Sequence, residues 1–94
     1  MLRVTAEVLE LRRWAEARGG RPCRDAESGR LRVAFDGDPC AVEVGWEEFE
    51  PAFLAARCVL VYDDAPGTRR HFVGPADEAR AYVAGAGRGA PAAP

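Results

Sequence analysis

The sequence predicts one α+β domain: an N-terminal helix, an antiparallel sheet of about five strands drawn from a meander and a hairpin, a central helix between the two, and a short C-terminal helix. Two observations carry this. At 94 residues the chain has room for one hydrophobic core. Its apolar residues also change period along the chain, helical first, then alternating, then helical and alternating again, with turn-forming residues at the joints.

The first helix is expected over residues 5–18, where Val4, Val8, Leu11 and Ala15 recur at spacings of four, three and four. Gly19-Gly20 supplies the left-handed position that ends helices, and Arg12, Arg13 and Arg18 suit the negative end of the dipole. A short strand around Pro22 to Arg24 leads through residues 25–29 into Arg30 to Phe35, which alternates Leu31, Val33 and Phe35 against Arg30, Arg32 and Ala34. Cys40, Val42 and Val44 alternate likewise, and Asp36-Gly37 between the two runs predicts that they form a hairpin.

After Gly45 the spacing of Trp46, Phe49, Phe53 and Ala56 is helical. Pro51 predicts a 3₁₀-like first turn, with the regular helix starting near Glu50 or Pro51 and ending at Arg57. Trp46, Phe49 and Phe53 are expected to pack with Leu11, Val33 and Val61. A second hairpin pairs Cys58 to Tyr62 with Thr68 to Val73, and residues 76–84 form the closing helix, led by Pro75 and the acids Asp77 and Glu78. The compact domain is expected over 1–84, with 85–94 a disordered Gly/Ala/Pro tail.

Composition excludes several classes. The apolar fraction of 48% and charged fraction of 30% are those of a globular protein. Apolar runs such as Cys58 to Tyr62 fall far short of the roughly 20 residues a spanning helix needs. The N-terminus acquires charge at once and shows no signal-peptide core, so a cytoplasmic location is expected. Three cysteines, Cys23, Cys40 and Cys58, sit 17 and 18 residues apart with no Cys-x-x-Cys pair. They are read as reduced, buried small hydrophobes; the sharper alternative is a metal site with His71. The cations are all arginine, a usage that looks like a G/C-rich genome's. Residues 3–32 carry eight Arg against five acids, whereas residues 33–66 carry one against eight, so the domain is electrically polarised.

Catalytic constellations are scarce. The one serine, Ser28, lies in a turn, where local hydrogen bonding is its ordinary task. A Cys58–His71 dyad would need a common sheet face, and pairing Tyr62 with Thr68 puts them on opposite faces. The adjacent acids Glu47-Glu48, Asp63-Asp64 and Asp77-Glu78 diverge. Counted from Asp36, a calcium loop would have Ala41 in its glycine place. Gly85 to Gly89 lacks the strand and helix that flank a phosphate cradle. No catalytic, cofactor or metal residue is therefore assigned.

The segments Trp14-Ala15-Glu16-Ala17-Arg18-Gly19-Gly20-Arg21-Pro22, Leu31-Arg32-Val33-Ala34-Phe35 and Gly45-Trp46-Glu47-Glu48-Phe49, with Phe53 beyond, resemble small stand-alone bacterial proteins of unassigned function. Those proteins carry W-x-E-x-R-G-G-x-P and W-[DE]-E-F-F-x-x-F segments, and the resemblance runs from about Trp14 to Val73. This chain departs from it at Glu50, where a second phenylalanine would stand, and at Pro51. The resemblance implies a compact stand-alone domain and no activity, cofactor or site residue.

The expected function is that of a non-enzymatic module binding a protein partner, without a membrane or cofactor. The alternative is a nucleic-acid-binding domain using Arg30, Arg32, Arg69 and His71 on one exposed sheet face.

Overall fold

The computed structural model describes residues 1–39 and 42–87, an α+β fold of three helices and two three-stranded antiparallel sheets. Its elements are β1 (Leu2–Thr5), α1 (Val8–Ala17), β2 (Arg21–Arg24), β3 (Leu31–Ala34), β4 (Val42–Glu43), α2 (Trp46–Ala55), β5 (Cys58–Asp63), β6 (His71–Pro75) and α3 (Ala76–Gly87). Cys40, Ala41 and residues 88–94 lie outside the described residues, and with them the expected start of β4 and most of the expected tail.

The single expected sheet is two. One has the strand order β1-β5-β6, the other β3-β2-β4. β3 runs beside β6, with Phe35 next to His71, but no ladder joins the two strands.

β1 is the element that periodicity concealed. The interval from Val4 to Val8 imitates a helical repeat, yet Leu2-Arg3-Val4-Thr5 also alternates and ends in two β-branched residues, which suit a strand. Pairing decides between the two: Val4 lies opposite Val61 and Thr5 opposite Leu60. The helix then starts at Val8, after the Thr5 hydroxyl accepts a hydrogen bond from the Glu7 amide at 3.0 Å.

α1 ends as its glycines predict. Gly19 has φ +74°, its amide donates to the Glu16 carbonyl, and the Gly20 amide donates to Ala15 at 2.8 Å, the paired bonds of a Schellman motif. Gly20 has a second duty, since a Cβ there would lie 2.7 Å from Val33 Cγ1 and 2.9 Å from Phe35 Cε1.

The Asp36-Gly37 turn forms, with Asp38 donating to the Phe35 carbonyl at 2.9 Å, but it does not close a β3–β4 hairpin. The chain crosses instead to the far side of β2, where Cys23 pairs with Glu43. The other edge of β3 already faces β6. In α2 the helix begins at Trp46, the Phe49 amide bonding Gly45, and Pro51 is absorbed in its interior. The cost is one bond that the Glu47 carbonyl cannot receive, and burial of Phe49 and Phe53 offsets it. α3 continues to Gly87, beyond the expected boundary at 84.

The core lies between the first sheet and helices α1 and α2. Leu11, Trp14, Val33, Phe35, Phe49 and Phe53 meet Leu60, Tyr62 and Val73 there. Val61, expected in this cluster, is fully buried on the other face of β5, because Leu60 and Tyr62 take the inward positions. That second face carries α3, whose Tyr82 stacks on Phe72 at 5.4 Å.

The thiols also depart from expectation. Cys23 is buried and disulfide-bonded, while Cys58 is a free thiol, half-buried. Spacing along the sequence does not by itself mark a disulfide. Because such bonds persist mainly in oxidising surroundings, the cysteines lend no support to a cytoplasmic placement. No helix among the described residues is long and apolar enough to cross a membrane.

Candidate functional site

Of the four residues nominated from sequence, Arg32, Arg69 and His71 gather at the start of β6, and Arg30 stands at its other end. His71 is packed between aromatic rings, 5.2 Å from Trp14 and 5.6 Å from Phe35, and its Nδ1 lies 2.8 Å from the Arg69 carbonyl oxygen. Desolvation pushes its pKa down. Arg69 lies over the Phe35 ring at 5.3 Å, and Arg32 is close enough to disfavour charge on His71. Arg30 stands at the other end of β6, bonded through Nη2 to Glu78 at 2.8 Å and resting against Gly74. Trp14 and Phe35 are buried, so the rings beside these arginines offer no platform on which bases could stack.

Arg18 belongs to the same end of the molecule, where it ties elements together. Its guanidinium donates to the carbonyls of Thr68 at 2.6 Å, Ala65 at 3.0 Å and Trp14 at 3.3 Å, clamping the β5–β6 loop onto α1. That loop is longer than expected: Tyr62 pairs with His71, not with Thr68. The shift places Cys58 and His71 on one sheet face but four positions apart along the ladder, about 13 Å at the usual rise, so no dyad forms.

Two surface features remain. The first is a cleft of about 410 Å³ where the ends of α2 and β6 meet the β2–β3 turn, lined by Arg24, Arg30, Leu31, Cys58, Val73 and Glu78 among others. Burial raises the Cys58 pKa, so its thiol stays protonated and is a poor nucleophile.

The second is the outer edge of β1. The Asp64 amide donates to the Met1 carbonyl at 3.1 Å, which makes Met1–Asp64 a hydrogen-bonded pair. By the alternation of antiparallel ladders, Arg3–Tyr62 and Thr5–Leu60 are the next such pairs. The N–H and C=O groups of Leu2 and Val4 therefore point away from β5, along the outside of the sheet. Val4 is 57% exposed. Beside it opens a groove of about 350 Å³ lined by Val4, Val59, Ala76, Ala79, Arg80 and Val83. Arg80 makes no ion pair among the described residues.

Sequence reasoning missed this edge because it gave Val4 to the helix. The signal available was the period of two in residues 2–5. No protein-family model, curated protein or solved structure matches the chain.

Proposed function

We propose that the chain is a non-enzymatic protein-binding module that captures an extended segment of its partner as an added strand on β1. The observation supporting it most directly is the outward backbone of Leu2 and Val4 beside an apolar groove. An open strand edge calls for another strand, because only a strand satisfies alternate N–H and C=O groups together. Main-chain bonds supply affinity in such a complex, and alternate side chains supply specificity. On the α3 face, an incoming apolar side chain next to Val4 would extend the surface formed by Val59, Ala79 and Val83. Arg80 at the groove favours a carboxylate on the segment.

The test is a randomised peptide library selected on the full chain, followed by Val4→Pro. The Val4 N–H points outward, so proline there removes a donor from the edge without breaking a bond to β5. Selected peptides should be extended, with alternating apolar residues, and should lose binding to the variant while its melting temperature holds. Failure to select any peptide, or undiminished binding to a folded Val4→Pro variant, contradicts the reading. A dimer formed by the chain itself and abolished by Val4→Pro would replace the foreign partner with a second copy.

A further inference from the structure

The Cys58 cleft lies apart from the β1 edge and has a different chemistry. Leu31, Val73 and Ala52 give it an apolar part, and Arg24 and Arg30 also line it. At about 410 Å³ it falls within the usual range for small-molecule sites. Each guanidinium has five N–H donors. Arg24 Nη1 donates to the Gly29 carbonyl at 2.8 Å, and its Nη2 lies 3.5 Å from Glu48; Arg30 bonds Glu78. The Arg30–Glu78 pair is about half exposed on both sides, so water competes with it and it contributes little to stability.

Gly74 adds a second, independent observation. Glycine weakens a strand, and this one has an ordinary, non-left-handed φ, so no turn requires it. What its missing Cβ permits is close approach: a Cβ at Gly74 would lie 2.5 Å from Arg30 Nη2 and 2.7 Å from Phe72 Cζ. The missing Cβ lets the Arg30 guanidinium close over β6 on its Phe72 side, at the rim of the cleft.

We infer that this cleft binds a small organic carboxylate, with its apolar body on Leu31 and Val73 and its carboxylate on the guanidinium groups of Arg24 and Arg30. Glu78 already holds Arg30 as a ligand carboxylate would, and the ligand shares or takes that position. Cys58 sits inside as a bystander thiol, which makes it a reporter of occupancy.

Phenylacetate is a suitable probe, and phenylacetamide its uncharged counterpart. The rate of Cys58 alkylation by iodoacetamide, located by peptide mass mapping, is followed against concentration of each, with amide chemical shifts of the intact chain recorded in parallel. Phenylacetate should slow Cys58 alkylation saturably and shift Cys58 and Gly74, and phenylacetamide should not. Arg30→Gln should weaken protection about tenfold or more, the usual consequence of losing a charge-assisted hydrogen bond. Gly74→Ala, which displaces the guanidinium while retaining its charge, should weaken it as well. No saturable protection, equal protection by the amide, or shifts confined to Val59 and Val83 in the other groove would overturn the inference. Because none of these residues lies on the edge of β1, the outcome is independent of the added-strand reading.

Discussion

The imidazole of His71 packs against the indole of Trp14, ring centres 5.2 Å apart, at the seam where β6 runs beside β3. The groups around it are Phe35 and Arg32 from the β3 side, Asp38 from the following turn, Tyr62 directly opposite on β5, and the Arg69 carbonyl. Tyr62 in turn donates its hydroxyl proton to Glu10 of α1. Burial dominates the balance and holds the His71 pKa below its ordinary 6.5.

The sign of the resulting pH dependence follows. The unfolded chain takes up a proton at His71 near pH 6.5, before the folded chain does, so the histidine's contribution is complete above that pH and declines as pH falls below it. Chemical denaturation between pH 7.5 and 5.5 should show falling stability, and His71→Gln should flatten the slope. Asp25, Asp63 and Asp64, held below the usual 3.8, lose their contributions only in more acidic solution. An unchanged slope in His71→Gln would refute the assignment.

Phe53 is fully buried, and its ring stacks on that of Phe49 at 6.0 Å between centres. Truncation leaves a cavity that the flanking sheet and helices cannot easily close. Phe53→Ala should therefore cost about 3–5 kcal/mol in urea denaturation. Leu54, its exposed neighbour, serves as the control, and Leu54→Ala should stay within about 0.5 kcal/mol.

The cysteines differ in reactivity. Without reductant, alkylation of the native protein should modify Cys58 slowly, because its thiol is half-buried and protonated, and should leave Cys23 untouched. After reduction and unfolding, Cys23 should become modifiable. Modification of Cys23 before reduction would contradict the disulfide.

Legibility of the fold depended on whether a local signal had a local cause. Gly19-Gly20 announced the end of α1, because the left-handed turn and the tight packing on Val33 and Phe35 both demand glycine there. The aromatic spacing in α2 survived Pro51 because buried surface outweighs one lost bond. Strand partnership was less readable. Asp36-Gly37 encodes a turn but cannot specify which edge of β2 receives β4. Val4 fitted a helical stripe and a strand equally, and only its partner Val61 resolves the choice. Of the nominated residues, Arg32, Arg69 and His71 lie near one another around Phe35 while Arg30 stands apart at Glu78, and no ladder between β3 and β6 joins them in one sheet.

The added-strand proposal stands or falls on the amides of β1. Hydrogen exchange of the full chain, resolved by residue, should find Arg3 and Thr5 protected by β5 and Leu2 and Val4 exchanging freely. On adding a selected peptide, protection should appear at Leu2 and Val4. A peptide that binds while leaving those two amides in free exchange would contradict the account.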